Sequence, residues 1–244
     1  MLKPDMKRFY RAVTVAPVVP EGGADDGGGE AFQILLDGRK VKSPVARVLA
    51  VPSRPLAEAV AAEWDAQSEK ILPASMPLTQ LAFTAIDRIA PQQAEVAARI
   101  ARYGETDLLC YRATAPADLV RLQADSWDPL LAWAADDLGA ALVVTDGIVP
   151  VDQPAAALAA LAHAVSTLDA YRLTALAAVV QAAGSLVIGL ALVRGRLDAA
   201  AAVALSQLDE SYQSEKWGAD KEALDRLGAL QAEIAQAETF LGLL

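Results

Sequence analysis

The chain has 244 residues, 54% of them apolar, with a net charge of −10 and a pI near 4.6. That acidic field repels nucleic-acid phosphates and anionic lipid, so neither is an expected partner, while a basic protein surface is attracted. A single cysteine, Cys110, excludes an intrachain disulfide, and a single histidine, His163, leaves a His/Cys zinc site short of donors.

The length suits one large domain or two modest ones. The charged start, Met1 to Arg8, leads into no apolar run, so no secretion signal is expected. Phe9 to Val15 alternates and is rich in β-branched and aromatic residues, which predicts a strand. A Gly/Asp-rich loop follows over 20–30. Phe32 to Leu36, then Asp37-Gly38, then Arg39 to Lys42 predicts a hairpin, because Asp-Gly accepts the positive φ of a tight turn. Val48 to Val51 predicts one more short strand.

From Ser53 the apolar period becomes helical. Ser53 caps a helix with Pro55 in its first turn and Leu56, Val60 and Trp64 on one face. Pro73 and Pro77 end it, and further helices are predicted over 78–89, from Pro91 to Gly104, and from Pro116 to Leu138. Asp128-Pro129 either bends that last helix or divides it. A short strand over 141–145, a turn at Asp146-Gly147, and helices near 153–167, 169–193, 198–216 and 219–240 complete the chain. The fold class expected is α+β: a small antiparallel β unit over 1–52 feeding a larger helical domain over 53–244.

Leu173 to Val193 runs 21 residues without a charge, long enough to cross a bilayer. Six of the 21 are alanine, and Gln181, Gly184, Ser185 and Gly189 weaken the middle. A buried central helix explains the same composition and is the favoured reading, with a membrane span as its alternative.

Residues that carry chemistry are sparse. No phosphate-binding, dinucleotide-binding or nucleophile-elbow motif occurs, and Gly27-Gly28-Gly29 reads as a plain loop. His163 lies in an alanine-rich helix, and Cys110 sits among apolar neighbours. The acidic pairs Asp25-Asp26, Asp136-Asp137 and Asp209-Glu210 are sequential, and neighbours on a helix face different ways. The stretch 205–218 is more informative. Leu205, Leu208 and Tyr212 share one helical face, Asp209, Glu210 and Glu215 lie off it, and Trp217-Gly218 closes the segment. A helix with one buried face and one acidic, aromatic-tipped face reads as a contact surface.

Six short motifs then fall in order: Arg8-Phe9-Tyr10, Leu36-Asp37-Gly38-Arg39-Lys40-Val41-Lys42-Ser43-Pro44, Ala62-Glu63-Trp64-Asp65-Ala66-Gln67, Thr106-Asp107-Leu108-Leu109-Cys110-Tyr111-Arg112, Trp127-Asp128-Pro129-Leu130, and Leu208 to Gln213 through Trp217-Gly218. In these the chain resembles the assembly chaperones of the F-type ATP synthase catalytic head, the group that binds the unassembled alpha subunit. The loop at 20–30 and the absence of a mitochondrial presequence depart from the pattern. The resemblance implies a monomeric, cytoplasmic bacterial chaperone, with eukaryotic relatives in the mitochondrial matrix. It implies no enzyme activity, no cofactor and no membrane insertion. Its partner would be the alpha subunit, shielded from aggregation and then released to beta. By motif match, Glu210 is carried over as a contact residue, with Trp64, Tyr212, Trp217 and Asp107 in support. An enzyme with a carboxylate-based site in the helical domain is the competing reading.

Overall fold

The computed structural model describes residues 6–18, 31–218 and 220–244; the loop expected over 20–30 lies outside the described residues. The architecture is α+β: a small N-terminal antiparallel sheet followed by helices. The chain divides into two compact units, one of residues 1–92 with 239–244, the other of residues 93–238.

In the first unit, β1 (Val13–Pro17) pairs antiparallel with β2 (Phe32–Leu36), placing Val13 opposite Leu36 and Pro17 opposite Phe32. The strand expected at Phe9 therefore starts later, and Phe9 is 65% exposed. Asp37 and Gly38 take φ of 48° and 78°, the double positive turn that Asp-Gly tolerates, and return the chain as β3 (Arg39–Lys40). β4 (Ala50–Val51) pairs with β2, which is central, and Ile34, Leu36, Leu49 and Val51 are buried.

α1 (Arg54–Asp65) begins as the sequence indicates, with the Ser53 hydroxyl accepting from the Leu56 amide at 3.2 Å. It buries Leu56, Val60 and Trp64 and belongs to the same compact unit as the sheet. This unit therefore runs past residue 52, because a two-faced sheet of short strands needs a helix to cover one face. α2 (Pro77–Thr84) starts without a side-chain cap of its own. Glu63 supplies one from α1: its carboxylate accepts from the Leu78 amide at 2.7 Å, and from the amide and hydroxyl of Thr79 at 2.8 and 2.7 Å.

The second unit is helical, apart from β5 (Tyr111–Arg112) and β6 (Thr145–Asp146), which pair in parallel. Its helices are α3 (Gln93–Ala101), α4 (Ala117–Leu138), α5 (Ala155–Ser166), α6 (Ala170–Ala183), α7 (Leu186–Val193), α8 (Ala199–Ser206), α9 (Leu208–Trp217) and α10 (Lys221–Gly242), the last of which ends in residues of the first unit. α4 continues through Pro129, so that proline does not divide it. The helix expected over 169–193 is two. Gly184 takes φ of 69°, the left-handed stop that glycine favours, and Ser185 restarts the chain by capping the Ile188 amide at 3.0 Å. Neither half spans a bilayer; among the described residues no helix is long and apolar enough to do so. α6 and α7 pack closely enough that a Cβ on Gly189 would sit 2.6 Å from Val180, leaving no room for alanine.

Candidate interaction surface

The helix predicted over 198–216 breaks at Gln207, whose φ of −109° and ψ of 21° separate α8 from α9. The inner face of α9 is fixed to α4 by side chains. Leu208 and Tyr212 are buried, and the Gln123 amide donates to Asp209 at 2.8 Å. Trp127 Nε1 donates to the Leu205 carbonyl at 3.0 Å. One turn on, the Tyr212 hydroxyl donates to Asp118 at 2.7 Å, and Lys216 bonds the other oxygen of Asp118 at 2.9 Å. Lys216 also donates to the Tyr212 hydroxyl and lies over that ring, 4.2 Å from its centroid.

Hydrogen bonds from Lys216 and then Tyr212 hold the Asp118 carboxyl down at about 2. A depressed carboxylate stabilises the fold above its unfolded value, near 4, and that contribution is lost as pH falls through the folded one. The thermal midpoints of the wild type and Asp118→Asn should therefore differ at pH 7 and converge between pH ~4 and ~2. A constant difference across that window would show that Asp118 does not tie α9 down.

The other face of α9 is open. Glu210 is exposed and makes no ion pair among the described residues, and Trp217 is 76% exposed at the helix end. Gly218, at φ 81°, turns the chain into α10, where Asp220 caps the Ala223 amide at 2.7 Å. Gln207, Glu210, Ser211 and Ser214 form one wall of a 330 Å³ groove, and Ala223, Leu224, Arg226, Leu227 and Leu230 of α10 form the other. A second groove of 530 Å³, between α8 and α10, shares Gln207, Ser211 and Leu227 with it. The α10 wall was not singled out in the sequence, although its leucines recur at helical spacing.

Of the five residues carried over, Glu210, Tyr212 and Trp217 share α9, with Tyr212 turned inward. Asp107 and Trp64 lie elsewhere and offer no surface. Asp107 is wholly buried just before Leu108, and its carboxylate reaches the start of α7, accepting from the Leu109 amide at 3.1 Å, the Ser185 hydroxyl at 2.7 Å and the Val187 amide at 3.0 Å. Burial pushes its carboxyl above the usual range, against the pull of those hydrogen bonds. Trp64 is 2% exposed, its ring 5.9 Å from that of Tyr10, whose hydroxyl donates to the Trp64 carbonyl at 2.7 Å. Cys110 is buried, and desolvation followed by the nearby Asp107 carboxylate pushes its thiol up to about 12, so the nucleophilic thiolate is suppressed. Among the described residues no group of His, Cys, Asp and Glu side chains could hold a metal ion.

Charge is divided unevenly. Residues 1–92 carry 11 basic and 11 acidic side chains, whereas residues 93–238 carry 10 and 20, so the whole net charge belongs to the helical unit. Half of it falls in residues 205–238, with eight acidic side chains against three basic.

Residues 7–135 match the family described as ATP12 chaperone protein. The chain belongs to that family. Among its ATP12 relatives is the mitochondrial protein atp12 of Schizosaccharomyces pombe, 29% identical over 202 residues, spanning 78% of this chain and 69% of the yeast one. The crystal structure of Atp12 from Paracoccus denitrificans shares 44% identity and superposes with a TM-score of 0.90 over 97% of both chains. A protein from Agrobacterium tumefaciens is 41% identical, with a TM-score of 0.87 over 97% of this chain and 85% of that one. ATP12 membership makes the chain a chaperone of ATP synthase assembly.

Proposed function

We propose that this chain binds the unassembled alpha subunit of the F-type ATP synthase catalytic head through α9 and α10, prevents its aggregation and yields it to the beta subunit. The observation that carries this reading is Glu210, without an ion pair among the described residues, on the wall of a groove faced by leucines and on the same helix as the exposed Trp217. An orphan subunit exposes apolar surface that its neighbours normally cover, and such surface aggregates. A groove with one apolar wall, set in a stretch whose acidic side chains outnumber its basic ones eight to three, suits an apolar patch bordered by basic residues. Release needs no nucleotide: the beta contact has only to be the more favourable of two mutually exclusive ones.

The chain would act as a monomer in the bacterial cytoplasm, without inserting into membrane. The carboxylates that burial perturbs, Asp107 and Glu63, are engaged by backbone and hydroxyl donors, which suits a structural role better than acid/base catalysis. Glu210→Lys reverses one exposed charge and breaks no side-chain hydrogen bond among the described residues. It should weaken binding of purified alpha subunit by about tenfold or more with an unchanged thermal midpoint, since a reversed charge adds repulsion to the lost attraction. Unaltered affinity in titration calorimetry would clear Glu210 of a contact role.

A further inference from the structure

We propose that the groove between α9 and α10 takes an amphipathic helix of the client whose apolar stripe is flanked by Lys or Arg. This deepens the reading above and rests on it for the identity of the client. The apolar positions of α10 recur at alternating steps of four and three: Ala223, Leu227, Leu230, Ile234 and Ala237. That is the spacing of a coiled-coil seam, in which each side chain needs a hole on a facing helix. Ile234 and Ala237 are completely buried, so the C-terminal end of the seam is covered. Ala223, Leu227 and Leu230 are half-buried and face the 330 Å³ groove, with Leu224 beside them 55% exposed. One seam thus has a covered half and an open half, and the open half is about two turns, or roughly 11 Å, long.

The opposite wall suits an inserted helix. Ser211 and Ser214 are small, which permits close backbone approach, and Glu210 supplies one carboxylate, while the one cation of the lining, Arg226, is paired with Glu222 at 3.3 Å. Eight acidic against three basic side chains over 205–238 choose the charge of the occupant. A second copy of this chain would bring the same acidic rim and be repelled, and an anionic lipid surface is disfavoured for the same reason. A basic amphipathic helix meets both requirements, the apolar seam and the sign of the field.

The test uses the full chain and two labelled helical peptides of about four turns, one of Leu and Lys, the other its Leu/Glu twin, with binding followed by fluorescence anisotropy. The Leu/Lys peptide should bind the wild type, and Leu227→Asp should weaken it about tenfold, the usual scale for a central apolar anchor. Leu224→Asp, at an exposed position, is the second variant should Leu227→Asp fail to fold, and it too should weaken binding. Glu210→Lys should lose affinity for the Leu/Lys peptide and gain it for the Leu/Glu peptide, a swap that a packing defect would not produce. Equal binding of both peptides, or indifference to these substitutions, overturns the proposal. Purified alpha subunit separates the two readings. If the wild type holds it and folded Leu227→Asp and Leu224→Asp hold it equally well, the groove proposal fails and the assigned client stands. If the wild type does not hold it while the peptides behave as expected, the assigned client fails and the helix-binding groove stands.

Discussion

Asp107→Ala is expected to destabilise the helical unit by about 4 kcal/mol, read as a fall in the urea midpoint at constant m-value. Three donors converge on this one buried carboxylate: the amides of Leu109 and Val187 and the hydroxyl of Ser185. Alanine would leave all of them without a partner, and each orphaned buried donor costs about 1–3 kcal/mol. Relief of the desolvation penalty on the charge offsets part of that. Asp107→Asn should cost less, about 1–2 kcal/mol, because its oxygen still serves Leu109 and Ser185 while its NH2 meets the Val187 amide donor-to-donor. The pH dependence follows from the raised carboxyl. A carboxyl raised on folding favours the native state most below its unfolded value, near 4, and that advantage is lost as pH rises through the folded value. The wild type should therefore lose stability relative to Asp107→Asn as pH climbs from about 4. A loss under about 1 kcal/mol in Asp107→Ala would show that the three donors find other acceptors.

Trp64→Ala is expected to destabilise the first unit by about 3–5 kcal/mol, the usual range for emptying a large buried aromatic site. The side chain is fully enclosed and packs against Tyr10. Its Nε1–H has no hydrogen-bond partner among the described residues. Trp64→Phe therefore removes an unsatisfied donor while keeping an aromatic ring, and should cost only about 1–2 kcal/mol in volume. Affinity for the alpha subunit should be unchanged in Trp64→Phe. Weakened affinity with unaltered stability would instead make Trp64 a contact that becomes accessible on binding.

Much of the first unit is legible in the sequence because its signals are local. Asp37-Gly38 specifies its own turn, and Ser53 with Pro55 specifies the start of α1. The breaks at Gly184-Ser185 and Gln207 were harder to read. A glycine within an apolar run is tolerated in a helix or ends one, and the choice belongs to packing, here to the close approach of α6 and α7 at Gly189. Pro129 shows the converse, a breaker that α4 absorbs. The candidate site divides the same way. Glu210 and Trp217 project from α9 as the pattern of 205–218 indicates. Asp107 and Trp64 could not be recognised as internal, since two of the three donors to Asp107 come from residues 78 and 80 positions away and the partner of Trp64 is Tyr10. The seam of α10 was written in the spacing of its leucines and alanines, but only the structure shows that half of it is uncovered.

The central claim is that this chain holds the alpha subunit until beta takes it. Co-expression with the alpha subunit, with and without beta, followed by size-exclusion chromatography, tests it most directly. The expected result is a soluble complex of this chain with alpha that disappears when beta is supplied, with this chain returning to its monomer volume. Precipitation of alpha whether or not this chain is present, or a complex that persists unchanged in the presence of beta, would contradict it.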